Sequence, residues 1–295
     1  MSMRSLRVAA PAKINLHLGV YPGCDDAGYH RVDTVMATVS LADVVYIEPS
    51  DELCVTMDPP SDVSLEENSV YRAACALGHA LGFNPHVAIH VEKHIPLRAG
   101  LGGPSTDAAA LIKGLCQLWN IDVHDTRVLN VARAIGADVP FFLYNSPAYL
   151  SGRGDEVREI FQSLGSLPVA LVGPAGPAGG VTSQAAYARF DSFPVEPQDP
   201  GAIIRAMRVG DMDAVLAHIS NNLADAAMSH SPEVAQILSW LRAHDGVLAA
   251  DVCGSGSTSF AICSDDAIAQ RIVEEAAKKD AWWAYFAKME NQAEH

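Results

Sequence analysis

Basic residues are scarce in this 295-residue chain. Lysine and arginine total 20 against 35 aspartates and glutamates, which gives a formal net charge of −15 and a pI near 5.0. Nucleic acids and anionic membranes bind to basic surfaces, so the composition excludes both as partners. A phosphate-bearing ligand must instead be held by local groups such as glycine N–H groups, a helix N-terminus or a divalent cation.

Paired cysteines and long apolar runs are also missing. The six cysteines form no CxxC pair and no zinc-ligand spacing, and MSMRSLRVAA at the N-terminus lacks the apolar stretch of a signal peptide. No apolar run approaches the roughly 20 residues needed to cross a bilayer. We therefore predict a soluble cytoplasmic protein with reduced thiols, present as a monomer or a weak homodimer.

The chain has 49% hydrophobic residues, enough for one large core or two ordinary ones. Strand patterns occur in KINLHLGV, RVDTVMATVSL and ADVVYIEP, and Asn68 suits a helix N-cap before VYRAACALGHAL. In KINLHLGV the alternation puts Lys13 and Asn15 on the same side. Two further helices are predicted in STDAAALIKGLCQLW and DTRVLNVARAI, the latter ended by Gly136.

The second half alternates strands and helices. We predict strands in PVALVGP, GVLAADVC, FAIC and WWAYFAK, helices around 201–220 and 232–244, and a helix in DDAIAQRIVEEAAKK. The pattern indicates an α+β protein with two domains, 1–160 and 165–295.

Histidines recur on one face of PHVAIHVEKHIP. His86, His90, Glu92 and His94 share a side if this segment is a strand, which allows either a metal site or the polar face of a half-buried strand. Alternation of this kind is the usual signature of such a strand. We predict no metal there.

A glycine-rich loop, PLRAGLGGPST, precedes the helix that is expected to begin at Ser105 or Thr106. It matches neither the Walker A motif nor the dinucleotide fingerprint, and such a loop alone can be a plain turn. The helix dipole nevertheless favours an anion here, bound by N–H groups of Gly102, Gly103, Ser105 and Thr106. Pro104 has no N–H but suits a first helical turn. The Ser105 and Thr106 hydroxyls allow two interpretations: Mg²⁺ ligands or a helix N-cap.

Six ordered motifs resemble those of the GHMP kinases, over residues 8–262. PAKIN at 11–15, PLRAGLGGPSTDAAA at 96–110 and CGSGSTSF at 253–260 are similar to the three family motifs, and AGYH, GADVPFF and GVTSQAAY accompany them. The resemblance implies a two-domain fold with a ribosomal-protein-S5-like N-terminal domain and a ferredoxin-like C-terminal domain. It also implies an enzyme that uses ATP and Mg²⁺ to phosphorylate an alcohol.

The resemblance assigns roles to individual residues. Lys13 and Asp138 match the catalytic lysine and aspartate beside the acceptor hydroxyl, a pairing that phosphoryl transfer can use. Their alternatives are an edge-strand surface lysine and a turn cap. The ATP-binding residues implied are Pro96, Ala99, Gly100, Leu101, Gly102, Gly103, Pro104, Ser105, Thr106 and Asp107.

The accompanying motifs narrow the match to a branch that phosphorylates the 2-hydroxyl of 4-diphosphocytidyl-2-C-methyl-D-erythritol. In that branch the cytidine contacts match Tyr29, His30 and Tyr187, and Asn15 matches a contact of the acceptor end. An aromatic ring suits the cytosine face, although both tyrosines could also be core residues. The third motif adds Gly254, Ser255, Gly256 and Ser257 to the predicted substrate site.

Two other functions fit parts of the pattern. One is a GHMP kinase for another small alcohol, such as a sugar, homoserine or a mevalonate derivative, which AGYH and GVTSQAAY argue against. The other is a catalytically degenerate nucleotide-binding member, suggested only by Pro104. The presence of both Lys13 and Asp138 argues against that reading.

Overall fold

The computed structural model describes residues 5–60, 63–144, 146–176 and 181–289. They form two compact units that interleave along the chain. The first unit comprises 1–12, 42–95 and 102–144, and the second comprises 13–41, 96–101 and 145–295. The predicted division into 1–160 and 165–295 stays a prediction.

Two long strands run through both units. β1 is Leu6–Cys24 and β2 is His30–Pro49, and they pair with each other. The two extended runs predicted between 31 and 49 are therefore one continuous strand. Residues 10–20 of β1 are all buried, so this strand is covered on both faces rather than half-buried.

The first unit places helices beside a small sheet. Its further elements are β3 (Cys54–Asp58), a 3₁₀ turn (Leu65–Glu67), α1 (Ser69–Leu81), β4 (Val87–Glu92), α2 (Gly103–Trp119), α3 (Thr126–Ile135) and a 3₁₀ turn (Phe141–Leu143). β4 pairs antiparallel with β2 and parallel with β3, which the sequence pattern did not indicate. α1 packs against α2 and α3. The Asn68 side chain accepts hydrogen bonds from the Val70 and Tyr71 N–H groups, which confirms the predicted N-cap.

The polar residues of β4 lie on the less buried face of the strand. Val87, Ile89 and Val91 are buried, whereas His90 and Glu92 are half-buried on the other face. The His90 ring hydrogen-bonds the Thr56 hydroxyl at 2.9 Å, and the Tyr46 hydroxyl donates to Glu92 at 3.2 Å. His86 and His94 lie outside the strand, and the prediction of no metal here stays a prediction.

The second unit contains an antiparallel sheet in the order β11–β7–β10–β9 and a smaller group of strands. Its strands after β2 are β5 (Ala148–Ser151), β6 (Glu156–Ile160), β7 (Leu167–Pro174), β8 (Ser220–Asn221), β9 (Val247–Val252), β10 (Ser259–Cys263) and β11 (Trp282–Met289). β5 pairs with β2 and β6, and β8 lies parallel to β1 at His17 and Leu18.

The described part of the second unit has an apolar core on the antiparallel sheet, a second core around Val20 and Phe190, and several helices. The helices are α4 (Ser183–Ser192), α5 (Gly201–Val209), α6 (Met212–Ala217), α7 (Ala224–His230), α8 (Pro232–Arg242) and α9 (Asp266–Ala276). The helical stretch predicted around 201–220 consists of two helices: Gly210, with φ 68°, ends α5, and α6 begins two residues later. α7 was not predicted. α8 and α9 pack on the antiparallel sheet, and α4 covers the second core near Val20 and Phe190. No helix in the described ranges has the length and apolarity needed to cross a membrane.

Candidate active site

A line of hydrogen-bonded polar side chains begins at Lys13 in the second unit. Lys13 is 4% exposed, and its Nζ donates to Asn15 Oδ1 at 2.7 Å. Asn15 Nδ2 donates to Thr34 Oγ1 at 2.9 Å, and that hydroxyl donates to the His17 carbonyl at 2.7 Å. Lys13 and Asn15 therefore lie side by side, as the alternation predicted. The alternative of a surface lysine is wrong.

The third motif lies against the Lys13 ammonium. Gly254 has φ 55°, a backbone conformation that favours glycine, and a Cβ on it would lie 2.9 Å from Lys13 Nζ. Asn221 Nδ2 fixes the loop by donating to the carbonyls of Gly254 and Val252 at 2.8 and 2.9 Å. Burial raises the pKa of the Cys253 thiol to about 12, despite the opposing effect of Lys13, so this thiol stays neutral. Among the described residues of its own unit, the only side chain that Lys13 hydrogen-bonds is the uncharged Asn15.

The start of the glycine-rich loop contacts the same third motif. Gly100 has φ 75°, and a Cβ there would lie 2.0 Å from the Cys253 carbonyl oxygen, so no other residue fits. The Thr258 N–H donates to the Ala99 carbonyl at 3.2 Å, and the Lys13 N–H donates to the Leu101 carbonyl at 3.0 Å. These three hydrogen-bonded or close contacts hold part of the predicted ATP loop beside β1 and the 253–258 segment.

The rest of the glycine-rich loop belongs to the first unit and opens α2. The helix begins at Gly103, with Gly102 (φ 77°) as its N-cap, and not at Ser105 or Thr106. Pro104 occupies the second helical position, where its missing N–H has no helical partner to lose. The N–H groups of Ser105 and Thr106 both donate to the Gly102 carbonyl, at 3.0 and 2.9 Å. The Ser105 and Thr106 N–H groups therefore already have an acceptor within the chain, and anion binding by the N–H groups of this loop stays a prediction.

Two side-chain oxygens in the first turns of α2 are buried without a hydrogen-bond partner in the described part of the chain. They are Thr106 Oγ1 and Asp107 Oδ1. The N-cap is Gly102 and receives no side-chain hydrogen bond, so the capping interpretation of Ser105 and Thr106 is wrong. The Ser105 hydroxyl lies toward Gly136, on which a Cβ would be 3.7 Å from Ser105 Oγ. The Ser105 and Thr106 hydroxyls are hard oxygen donors of the kind that Mg²⁺ accepts.

Below this helix start lies a buried ion cluster that the sequence did not reveal. Lys93 Nζ contacts the carboxylates of both Asp43 and Asp107. Asp43 also accepts the N–H groups of His94 and Ile95. Burial raises the pKa of Asp107, the ammonium of Lys93 opposes that shift and Asp43 adds to it. Asp107 lies on α2, and a Cβ on Gly103 would lie 3.4 Å from Lys93 Nζ. The cluster therefore lies directly against the first turn of α2 and supports it.

Asp138 follows α3 in the same unit. Gly136 ends that helix, and the Val139 N–H donates to the Gly136 carbonyl at 3.2 Å, which closes a turn around Asp138. The side chain of Asp138 is partly exposed. The turn thus places a solvent-accessible carboxylate on the stretch that also approaches Ser105. Its catalytic role remains a prediction.

The predicted cytidine contacts lie in the second unit. His30 is 7% exposed and its ring stacks on that of Tyr187, with centroids 5.3 Å apart and an interplanar angle of 25°. Tyr29 is 53% exposed and carries the Arg153 guanidinium 4.0 Å above its ring, so the core-residue alternative is wrong for Tyr29. Tyr187 is half-buried against the second core. Ser183, at the start of α4, hydrogen-bonds Ser255 of the third motif at 3.1 Å.

Several residues of these sites were missed by the sequence analysis. Thr34, Asn221, Asp191, Asp43 and Lys93 bind predicted site residues or support the helix that carries them. Each partner lies far away in sequence, so no local pattern marks the pair. A usable signal was the charge of Asp107 among the apolar residues of DAAALI, because a buried charge needs a partner.

Comparison with known proteins agrees with the motifs. A family model described as "GHMP kinases N terminal domain" matches residues 68–146, and one described as "GHMP kinases C terminal" matches 203–281. A 4-diphosphocytidyl-2-C-methyl-D-erythritol kinase of Listeria monocytogenes is 34% identical over 269 residues, 90% of each chain. One of Symbiobacterium thermophilum is 33% identical over 287 residues, 94% of this chain and 98% of its own.

Solved structures show the same similarity. A crystal structure of 4-(cytidine 5'-diphospho)-2C-methyl-D-erythritol kinase superposes with a TM-score of 0.77 and 30% identity, over 97% of this chain and all of the other. A homoserine kinase from Cytophaga hutchinsonii shares the fold, with a TM-score of 0.76 at 19% identity over 99% of this chain and 97% of its own. The predicted two-domain fold of mixed α and β structure is confirmed, and the chain belongs to the GHMP kinase family.

Proposed function

We propose that this chain is an ATP-dependent kinase that phosphorylates the 2-hydroxyl of 4-diphosphocytidyl-2-C-methyl-D-erythritol, a step of non-mevalonate isoprenoid biosynthesis. The observation that carries the proposal is the buried Lys13 ammonium, which contacts a neutral amide and lies against the backbone of Gly254. Such a charge is available for a phosphoryl group in transfer. The similarity to the named kinases over 90% or more of the chain supports the choice of substrate.

Each part of the reaction has a proposed residue. Lys13 stabilises charge on the transferring phosphoryl group, and Asp138 orients the acceptor hydroxyl or accepts its proton. The N–H groups of Gly102 and Gly103, with the dipole of α2 behind them, bind the ATP phosphates. The other ATP contacts are proposed along 96–107.

Mg²⁺ fits the oxygen donors at the start of α2. The Ser105 hydroxyl and the buried, unpartnered Thr106 Oγ1 would hold the ion. Bound there, Mg²⁺ would neutralise part of the phosphate charge.

The proposed substrate contacts lie in the second unit. Tyr29, His30 and Tyr187 hold the cytosine, Asn15 contacts the acceptor end, and the third-motif residues Gly254, Ser255, Gly256 and Ser257 line the substrate path. The stacked pair of His30 and Tyr187 supports an aromatic pyrimidine site, because aromatic faces bind bases by stacking.

The test is a γ-phosphate transfer assay with purified protein and a panel of alcohols. The panel contains 4-diphosphocytidyl-2-C-methyl-D-erythritol, homoserine, mevalonate and a sugar. We expect turnover of the cytidyl alcohol with kcat/KM at least 10²-fold above the others, since the pocket must pair polar groups of the base. Turnover of a different alcohol alone would replace the proposed substrate, and no turnover of any would contradict the kinase proposal.

A further inference from the structure

The His30 ring is fixed on all sides by groups of its own unit. It is buried, stacks on Tyr187 and meets Phe190 edge-on at 5.6 Å. Its Nδ1 lies 2.9 Å from the Tyr21 carbonyl oxygen, and its Nε2 lies 3.0 Å from Asp191 Oδ1. Both ring nitrogens therefore face an oxygen that can only accept a hydrogen bond while Asp191 is ionised.

The ring nitrogen that faces Asp191 can be joined to that carboxylate in two ways. The two groups can form a direct hydrogen bond, or both can be ligands of one metal ion.

The distances favour the direct hydrogen bond. Cys24 Sγ lies 3.5 Å from His30 Nε2, and ligand atoms of Cys24, His30 and Asp191 all lie within 4.8 Å of one another, a set that zinc could use. Two nitrogen or oxygen ligands on a tetrahedral zinc are about 3.3 Å apart, from zinc–ligand bonds of about 2.0–2.1 Å. The 3.0 Å between Nε2 and Oδ1 is the ordinary length of a direct N–H···O bond.

We propose that Asp191 is a positioning residue of the pyrimidine site. Its carboxylate and the Tyr21 carbonyl together hold the His30 ring in its stack with Tyr187. Both ring nitrogens then have partners within the chain, so the ring contributes its fixed position against Tyr187 rather than hydrogen bonds to the base edge. This inference rests on the proposed function, because it concerns the affinity of the same cytidyl substrate.

Steady-state kinetics of Asp191 variants test the proposal. We expect Asp191→Ala to raise the KM for the cytidyl substrate about 5–20-fold, as loss of a charged hydrogen bond does, with kcat and the KM for ATP within about twofold. Asp191→Asn should recover most of the loss, because an amide of the same size can hydrogen-bond the same ring nitrogen. The matched control is Asp213→Ala, which removes an equal charge from the first turn of α6.

A double-mutant cycle shows whether Asp191 acts through His30. In a His30→Ala background, Asp191→Ala should raise the KM no further. An equal additional rise there, or an unchanged KM in Asp191→Ala, would overturn the proposal. Removal of zinc from the wild type by a chelator, if it reproduced the Asp191→Ala effect, would also overturn it in favour of a metal.

Binding of cytidine diphosphate, measured by calorimetry, separates this inference from the proposed function. Weaker binding in Asp191→Ala, with a thermal denaturation midpoint like that of Asp213→Ala, supports the positioning role even if turnover fails. A wild type that neither phosphorylates the cytidyl alcohol nor binds cytidine diphosphate would end both proposals. If the wild type phosphorylates the cytidyl alcohol and binds cytidine diphosphate, and the Asp191 variants do so equally well, only the positioning role of Asp191 is contradicted.

Discussion

Lys13 and Lys93 both have largely buried side chains beside predicted phosphate-binding segments, yet their surroundings differ. Lys93 contacts two carboxylates, those of Asp43 and Asp107, and all three belong to the first unit. Lys13, in the second unit, donates to the neutral Asn15 and lies against Gly254. The first charge is balanced within the chain. The second has no carboxylate partner among the described residues of its unit.

The difference separates a structural from a functional buried charge. A buried ion without a partner of opposite charge costs several kcal/mol of stability. A buried charge that lacks such a partner within the protein is therefore expected where a bound ligand supplies the opposite charge. For Lys13 the proposed partner is the phosphoryl group of ATP. The Lys93 cluster instead holds the first turns of α2, whose N–H groups are proposed to bind phosphate.

The largest effect is expected at Asp138, which works with Lys13 in the proposed reaction. Asp138→Asn should keep the fold and ATP affinity and lower turnover by roughly 10²–10⁴, as loss of a general base does. Combined with Lys13→Ala, the losses should not multiply, because paired catalytic groups act as a unit. Single-turnover phosphoryl transfer measures both. Near-wild-type turnover in Asp138→Asn would remove Asp138 from the mechanism.

We expect Lys93→Met to lower the free energy of unfolding. It leaves Asp43 and Asp107 buried against each other without a cation, at a cost of about 3–5 kcal/mol in the free energy of unfolding. Urea denaturation checks the value. The variant Lys93→Met with Asp43→Asn and Asp107→Asn should recover much of the loss. A Lys93→Met protein as stable as the wild type would mean that the cluster is not a structural ion group.

Asp251 is a third buried ionisable residue, and its contribution to stability can be tested by measuring the free energy of unfolding as a function of pH. Burial raises the pKa of its carboxyl to about 6, while a hydrogen bond from the Val252 N–H opposes the shift. The native state keeps this proton to a higher pH than the unfolded state. The free energy of unfolding therefore falls as pH rises from 3.8 toward about 6, by on the order of 3 kcal/mol.

Asp251→Asn keeps an acceptor for the Val252 N–H and removes the titration. We expect this variant to be more stable than the wild type above pH 6, with the difference disappearing near pH 4. Thermal denaturation across this range gives the comparison. A wild type that gained stability from Asp251 as pH rose would contradict the assignment.

The smallest effect concerns Pro104, above the Lys93 cluster. Pro104→Gly should lower the free energy of unfolding by up to about 1 kcal/mol, because glycine makes the unfolded chain more flexible. ATP affinity should stay equal or increase, since a donor N–H returns at the second position of α2. Calorimetry with ATP checks this. Markedly weaker ATP binding would show that the proline shapes the loop.

The sequence predicted what local physics determines. Period-two alternation placed Lys13 beside Asn15, and Asn68 marked the start of α1. Local patterns did not show that Gly210 would divide a helix. They also missed the contacts of Lys93 with Asp43 and Asp107, because these aspartates lie 50 and 14 residues from Lys93 in the sequence. Such pairs follow from tertiary packing, as does the contact of His30 with Asp191.

The most direct test of the contrast between the two lysines replaces Lys13 by Met and compares the variant with Lys93→Met. Turnover per folded molecule and the free energy of unfolding are measured for both. The account predicts that the free energy of unfolding of Lys13→Met is at least that of the wild type, because the removed charge has no carboxylate partner. It also predicts that turnover falls by a factor of about 10² or more, because the proposed phosphoryl-group partner is lost. A Lys13→Met protein destabilised by as much as Lys93→Met, with turnover of its folded fraction unchanged, would contradict it.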